Sequence, residues 1–594
     1  MPTTTTTGRR GGSWLVDLGE AADVFTPERL SDEHRLIAKT ADEFVANEVL
    51  PHLDQLEEKD WKLARRLVQR AGELGLLGVD APEAYGGVAL DKAASLVVSD
   101  HIARSASFGA AYGGQVNMAI LPICLYGTPE QKQKYLPNLV TGELIGAYAL
   151  SESGSGSDAL GAKARATRQP DGSFVLNGEK MWITNGGFAD VFIVFAKVDG
   201  EHFTAFIVER AFAGVSNGKE EHKMGLHGSS TTPLILQDAK VPATNVLGEI
   251  GKGHKVAFNV LNFGRFKLGA MCAGGAKLAI GQAAVYAVGR RQFGQPIASF
   301  GAIKHKLGEM VTKTFAIESL VYRTAGMIDQ WIERSTTGSH ESVVLAALEE
   351  FAIEASIAKV GGSEALDYVL DENIQIHGGN GFVRDYPAER QYRDSRVNRI
   401  FEGTNEINRL LIPGMLVRRA LKGDVPLIAA ARQLQDEVLS GPGALESVSD
   451  GLLDRERRAT ASFKKVALMI LGTAMQTYGE KLTDQQELLT YSADILIDTY
   501  ASESAVLRAV AAADQKISTA ALQADAASVY VNDAAGRIEI TAKNALAAMA
   551  DGDTLRTLLA ALRRLLKVTP VNTVVLRRKL ADETTARGTY PFNG

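Results

Sequence analysis

Val191-Phe-Ile-Val-Phe-Ala-Lys-Val198 and, after a four-residue gap, Phe203-Thr-Ala-Phe-Ile-Val208 are short runs of branched and aromatic residues. Such side chains crowd a helix but suit a pleated surface, so both runs read as strands. Upstream, Pro170-Asp171-Gly172 separates two shorter alternating segments, and Asn177-Gly178 offers a second tight turn; both are hairpin signals. Downstream, Leu234 to Leu236 and Val241 extend the pattern. A middle β-domain over residues 146–250 is expected.

Outside that window the period is helical. Ser31 is a candidate N-cap with Asp32 and Glu33 in the first turn, and Ile37, Ala41, Phe44, Val45 and Val49 recur at helical spacing until Pro51. Trp61 to Leu77 is a second amphipathic stretch, and the helical pattern continues to Tyr135, where Pro137 is expected to stop it. Beyond Gly251 the helical spacing returns over Phe258 to Arg290, Lys304 to Ile332 and Val343 to Asp371, lengths that suit a bundle. The remainder is Ala-rich and helical, with Leu489, Ala493, Leu496 and Tyr500 on one face. Helices, strands, then helices in separate blocks predict an α+β fold. The expected division is a flexible arm (1–26), an N-terminal helical domain (27–145), the β-domain (146–250), a helical bundle domain (251–415) and a helical extension (416–594).

The 594 residues, 45% apolar and 23% charged, have the makeup of a multi-domain globular protein. A net charge of −6 and a pI near 6.0 give no reason to expect nucleic acid as a partner. Cys124 and Cys272 are isolated in apolar contexts, so buried thiols in a reducing, cytoplasmic setting are expected, without a disulfide or a metal site. The polar start, Met1 to Gly12, lacks the apolar stretch of a signal peptide, and no uninterrupted apolar run approaches the roughly 20 residues that cross a bilayer.

Several signatures are missing. No Gly-x-Gly-x-x-Gly lies between a strand and a helix, and Gly154-Ser-Gly-Ser-Asp158 has the wrong spacing both for that fingerprint and for a hydrolase elbow. Five other segments do stand out: Tyr148-Ala-Leu-Ser-Glu-Ser-Gly-Ser-Gly-Ser-Asp158, Lys180-Met-Trp-Ile-Thr-Asn-Gly186, Arg290-Arg-Gln-Phe-Gly-Gln-Pro-Ile297, Gln375-Ile-His-Gly-Gly-Asn-Gly-Phe382, and Tyr392-Arg-Asp394 through Phe401-Glu-Gly-Thr-Asn-Glu-Ile407. In this order, over about 260 residues, they resemble the acyl-CoA dehydrogenase family.

The resemblance implies a helical N-terminal domain, a middle β-barrel domain and a C-terminal four-helix bundle, with FAD extended between the latter two and across a subunit interface. It implies that Leu150, Ser151, Trp182 and Thr184 contact the flavin ring. Arg290, Gln292 and Phe293 of a neighbouring copy would meet the pyrophosphate and adenosine portion; a guanidinium suits phosphate oxygens. Gln375, Gly378 and Gly379 would line the adenine end, and Thr404 and Glu406 would close the site. Ser157, Asn262, Arg265 and Gly403 would contact the acyl-CoA substrate. The length of 416–594, with Lys223-Met-Gly225 and Asn262 to Arg265, resembles the very-long-chain branch, which implies a homodimer and long acyl chains. An electron-transferring flavoprotein would take the electrons. Part of the extension binds membranes in some relatives, but Pro426-Leu-Ile-Ala-Ala-Ala-Arg432 is only weakly amphipathic and has no basic cluster, which favours a packed or solvated helix.

The chemistry can be argued from the residues. Taking an α-proton and a β-hydride from an acyl thioester needs a carboxylate kept dry enough that its pKa rises toward working pH, and donors waiting for the thioester oxygen. In the family these donors are the base's own backbone N–H and a flavin ribityl hydroxyl. Phe401-Glu402-Gly403-Thr404 offers an apolar neighbour, a carboxylate and a flexible glycine, so Glu402 is the expected base. Some members carry the base immediately before an Arg in an earlier helix. Here Gly264 precedes Arg265, which disfavours that arrangement and is expected to leave room for the acyl chain. Two alternatives stay open at this level: an oxidase passing electrons to oxygen, and a scaffold protein of the same fold without turnover.

Overall fold

The computed structural model describes residues 9–439 and 451–592. The strand-like runs all lie in one sheet. Its strands are β1 (Gly146–Ala149), β2 (Arg165–Arg168), β3 (Phe174–Thr184), β4 (Val191–Val198), β5 (His202–Glu209), β6 (Val215–Asn217), β7 (Thr231–Val241) and β8 (Val246–Leu247). They run β6-β7-β3-β2-β4-β5-β8, with β1 parallel to β4 in the register Gly146 opposite Val191. The Pro170-Asp171-Gly172 turn joins β2 to β3 as an antiparallel pair. Asn177-Gly178, expected as a turn, instead lies inside β3, where the register to β7 shifts between Leu176 and Gly178. Gly178 has φ +152°, and a Cβ there would stand 2.8 Å from that of Ala164. Glycine therefore serves a bulge at a close approach, not a chain reversal.

N-terminal helices pack on one face of this sheet and share its core, through Phe44, Phe108, Ile120, Phe192 and Phe206. Ser31 caps the helix Asp32–Phe44 in a reciprocal box: its Oγ accepts the His34 N–H while His34 Nδ1 accepts the Ser31 N–H. Pro137 does not end its helix, which runs Pro129–Val140. A proline in a last turn forfeits one hydrogen bond near an end that is already open.

The bundle is built from Gly253–Gly289, Gly301–Arg334, His340–Glu350 and Ala352–His377. The last two were expected as one run. Phe351 breaks it, leaving helical geometry to bury its ring edge-on against Trp331 at 6.0 Å. The helix Asn405–Lys422 crosses the 415/416 boundary, so the extension proper begins after Lys422. Its helices Leu427–Leu439, Asp454–Tyr478, Gln486–Asp514, Ala520–Met549, Gly552–Leu565 and Thr573–Arg587 do not form a separate core. Phe463, Leu496 and Tyr500 join Phe263, Phe315 and Val321 of the bundle in one apolar cluster. Fully buried Arg508 fixes the register, with Glu28 at 2.8 Å and Glu318 at 2.6 Å.

The arm expected over 1–26 is anchored in part: Gly11 to Leu15, Ala21, Val24 and Thr26 are buried, while Asp17, Leu18 and Glu20 are exposed. Gly11 and Gly12 donate their N–H groups to Glu350 Oε1 (2.9 Å) and Glu354 Oε1 (2.7 Å), and Trp14 lies 4.8 Å from the Tyr500 ring. Trp14 and Leu15, 3% and 1% exposed, are the overlooked anchor. Residues 1–8 of that arm, and 440–450 and 593–594 of the extension, lie outside the described residues. Two helical stretches, Ala106–Tyr126 and Gly253–Gly289, are long and apolar enough to cross a membrane, but their apolar windows are 78% and 67% buried inside the protein. Both are core helices here.

Candidate active site

Where the N-terminal helices, the sheet and the bundle meet, a cleft of about 1480 Å³ opens. The structure brings Leu150, Ser151, Ser157, Trp182, Thr184, Asn262, Arg265, Glu402, Gly403 and Thr404 to its wall. Arg290, Gln292, Phe293, Gln375, Gly378, Gly379 and Glu406 are not part of that wall; all are exposed. Phe293 is 93% exposed at φ +51°, on a two-stranded hairpin formed by Arg291–Gln292 and Gln295–Pro296.

The turn that carries Glu402 is held from three sides. Glu402 (φ +57°) and Gly403 (φ +77°) are successive left-handed residues, and Thr404 then caps the helix Asn405–Lys422, its Oγ1 accepting the Ile407 N–H at 3.2 Å. Glutamate in that conformation costs about 1–2 kcal/mol, so the turn needs support. Asn408 Nδ2 donates to the carbonyls of Gly403 (2.9 Å) and Thr404 (3.0 Å) and reaches that of Glu402 (3.4 Å). Arg265 Nε donates to the Glu402 carbonyl at 3.0 Å, and its NH1 to Asn262 Oδ1 at 3.1 Å. The buried Arg265 guanidinium is thus engaged with the turn through Nε and with Asn262 through NH1 while it lines the cleft.

The Glu402 side chain enters the cleft beside Gly264. A Cβ at 264 would stand 2.7 Å from Glu402 Oε2, so the space expected to admit the acyl chain is taken by the carboxyl itself. Oε2 is buried and has no hydrogen-bond partner. Burial pushes this carboxyl up to about 7, with Arg265 and then Lys359 acting in the opposite direction. Lys359 stands behind the turn, fully buried, and burial brings its ammonium down to about 8. Among the described residues the Glu402 N–H donates to no protein acceptor, so it remains available to an oxygen in the cleft.

The opposite wall is set by a buried pair. Lys180 Nζ bonds Glu152 Oε1 at 2.6 Å and the Leu150 carbonyl at 3.2 Å, and the Met181 N–H bonds the Ser151 carbonyl at 2.9 Å. Together these fix Leu150-Ser151 against the strand end that presents Trp182, which is 57% exposed at φ +59°. His377 lies away from the cleft, its Nδ1 bonded to the Asn373 carbonyl at 2.8 Å and its ring 4.1 Å from that of Tyr286. Burial lowers its pKa. Sequence reasoning missed Asn408, Lys359 and the Glu152–Lys180 pair. Asn408 stands one helical turn after Thr404, and that spacing was the available signal.

The cleft fits a large cofactor and an acyl chain. Ser107 Oγ, Asn117 Oδ1, Tyr148 OH and Glu402 Oε2 line it as buried polar atoms lacking partners, a pattern native proteins resolve with a bound group or water. A bulky indole held exposed at positive φ is likewise a surface prepared for a planar partner.

A deep, largely apolar cleft closed by a buried, unpaired carboxyl on an α–β–α scaffold defines a site for abstracting a proton from an apolar substrate. Family models described as "Acyl-CoA dehydrogenase", N-terminal, middle and C-terminal domains, match residues 31–143, 147–239 and 251–414, and another described as the C-terminal domain matches 462–564. A "Probable acyl-CoA dehydrogenase" of Bacillus subtilis (strain 168) is 48% identical over 577 residues, covering 96% of this chain and 97% of that protein. The mitochondrial very long-chain specific acyl-CoA dehydrogenase of Rattus norvegicus is 36% identical over 479 residues, covering 75% and 70%. The crystal structure of an acyl-CoA dehydrogenase complexed with FAD from Bacillus anthracis superposes with a TM-score of 0.96 at 49% identity, covering 98% of this chain and 100% of that one. The chain belongs to the acyl-CoA dehydrogenase family of FAD-dependent enzymes.

Proposed function

We propose that this enzyme oxidises the Cα–Cβ bond of a long-chain fatty acyl-CoA to the trans-2-enoyl thioester, with Glu402 as the base. The observation that carries the reading is the Glu402 carboxyl: buried, unpartnered at Oε2 and brought to about 7, it is poised to accept a proton near neutral pH. The Glu402 N–H, free of protein acceptors, would hold the thioester oxygen and stabilise the charge that builds on it as the α-proton leaves. Leu150, Ser151, Trp182, Thr184 and Thr404 would hold the cofactor within the cleft. When bound, FAD supplies the two-electron acceptor for the β-hydrogen. The α-proton passes to Glu402, the β-hydrogen leaves with both electrons of its bond, and the enoyl thioester remains.

Gly109, Ala110 and Gly113 offer little side-chain bulk along one wall, and Leu268 and Met271 supply apolar cover, which supports a long acyl chain. Arg290, Gln292 and Phe293, exposed in a single chain, would reach the cofactor in a second copy's cleft, with Gln375, Gly378 and Gly379 nearby; Glu406 would act at the cleft's edge. Glycines 378 and 379 have nothing within 4 Å of where a Cβ would stand, leaving room for a ligand's close approach. The same reading places Ser157 and Asn262 on the CoA portion. It makes the enzyme a cytoplasmic homodimer in fatty-acid β-oxidation that passes electrons to an electron-transferring flavoprotein.

Glu402→Gln tests the assignment. The variant should retain FAD and bind acyl-CoA while anaerobic flavin bleaching slows by about 10²–10⁴-fold. Bleaching at the wild-type rate would remove Glu402 from its role. Titration with straight-chain acyl-CoAs of graded length tests the long-chain part, and peroxide formation without an added acceptor would replace the flavoprotein acceptor by oxygen.

A further inference from the structure

A chain of alternating charges runs from the extension to the turn that carries Glu402. Asp494, on the extension helix Gln486–Asp514, accepts from Arg409 Nε at 2.8 Å. The other arm of Arg409 forks onto Glu364, NH1 to Oε1 at 2.6 Å and NH2 to Oε2 at 2.8 Å. Glu364 Oε1 accepts from Asn405 Nδ2 at 3.0 Å, and Asn405 Oδ1 accepts from Lys359 Nζ at 2.6 Å. A carboxylate on one side and an ammonium on the other allow this amide only one orientation. Asn405 is 2% exposed and is the first residue after the cap Thr404, so its position sets where the turn ends.

The chain becomes more buried inward. Asp494 and Glu364 are over a third exposed, whereas Asn405 and Lys359 are sealed. Isolated surface pairs of this kind contribute little to stability. A bidentate guanidinium shared by two acids on different helices has another use, which is geometric. It fixes the helix Asn405–Lys422 in rotation against both the bundle and the extension. That rotation places Asn408, whose amide grips the carbonyls of residues 402–404.

We propose that the extension acts as a positioning element for the base: Asp494, through Arg409, Glu364 and Asn405, holds the left-handed turn that aims the Glu402 carboxylate into the cleft. The inference rests on Glu402 being the base. Base geometry is sensitive at the ångström level, where a small misplacement lowers rates by about 10²-fold. A region whose sequence shows only Ala-rich helix thereby acquires a role in the reaction without touching substrate or cofactor.

FAD-loaded holoenzyme carrying Asp494→Asn, Asn405→Ala or both tests this, read by single-turnover flavin reduction with saturating long-chain acyl-CoA, the substrate dissociation constant, FAD content and Tm. Asp494→Asn should slow reduction about tenfold and Asn405→Ala about 10²-fold, with the dissociation constant and FAD content unchanged; Asp494→Glu should recover the rate. The double variant should be no slower than Asn405→Ala alone, because both act through one chain. Wild-type rates in Asp494→Asn, a lowered Tm without a slower step, or losses that multiply in the double variant would each overturn the proposal. Glu364→Gln, on the bundle side of Arg409, gives the same readout should an Asn405 variant fail to fold. Glu402→Gln run alongside separates the two readings: if it stays fast the base assignment itself fails, and if it is slow while Asp494→Asn is fast only the positioning role falls.

Discussion

The turn at Phe401–Asn408 and the exposed Arg291–Pro296 hairpin and Gly378-Gly379 are built on opposite plans. In the turn, the carbonyls of residues 402–404 are gripped, the left-handed backbone of Glu402 is supported by Asn408 and Arg265, and the carboxyl is already dry. At the second site Arg290, Gln292 and Phe293 project outward and the glycines face open space. The first is held by contacts within one chain; the second exposes a guanidinium, an amide and an aromatic ring. Proton abstraction depends on a base placed before substrate arrives, so its geometry belongs in the folded core. On the proposed reading, gripping the cofactor's phosphates falls to this exposed surface, which a second copy would complete.

Gly264→Ala strikes the finished site hardest after the base itself. Its methyl group would stand within 3.0 Å of both Glu402 carboxylate oxygens, so flavin reduction should slow by about 10²-fold while FAD remains bound. An unchanged rate would show that the carboxylate works from another position. At the open site the expected effect is on retention. Arg290→Ala should weaken FAD binding by about ten- to a hundredfold, the scale of one lost charge-assisted contact, with little change in reduction rate once FAD is saturating. A loss of rate at full occupancy would erase the division between the two sites. Phe293→Asp should in addition shift the protein toward monomer in sedimentation, if a second copy covers that ring.

A smaller effect concerns stability and a carboxyl outside both sites. Burial pushes Glu354 up to about 7, against the Gly12 N–H bond that opposes it. A folded-state value raised above the unfolded one favours folding at low pH, and the advantage disappears as pH rises through 7. Glu354→Gln keeps the acceptor for Gly12 and removes the ionisation. Its Tm relative to wild type should therefore rise between pH 5.5 and 8.5, corresponding to on the order of 2 kcal/mol. A constant difference across that range would place the shift elsewhere.

How much of this was legible in the sequence follows from how local each signal is. Val191–Val198 and Phe203–Val208 declared their strands because branched side chains alone carry that information. Glu402 was singled out by its neighbours in one short motif, and the structure brings its carboxyl to the cleft wall. Trp14 was not, because its partner Tyr500 lies 486 residues away and nothing nearby calls for it. Asn177-Gly178 has the composition of a turn, and only the approach of Ala164 makes it a bulge. Asn408 acquires a purpose only once Glu402 and Gly403 take positive φ, and Gly264 only once the carboxylate swings beside it. Composition finds the elements, and contacts between distant segments decide what their residues do.

The central claim is that a buried carboxyl at position 402 takes the proton. It is tested most directly by the pH dependence of single-turnover flavin reduction in the FAD-loaded enzyme, compared with Glu402→Gln. The carboxyl must be ionised to act, so the wild-type rate should climb as pH rises through about 7 and level off above it, while the residual rate of the variant stays flat. A rate independent of pH across that range, or the same climb surviving in Glu402→Gln, would contradict it.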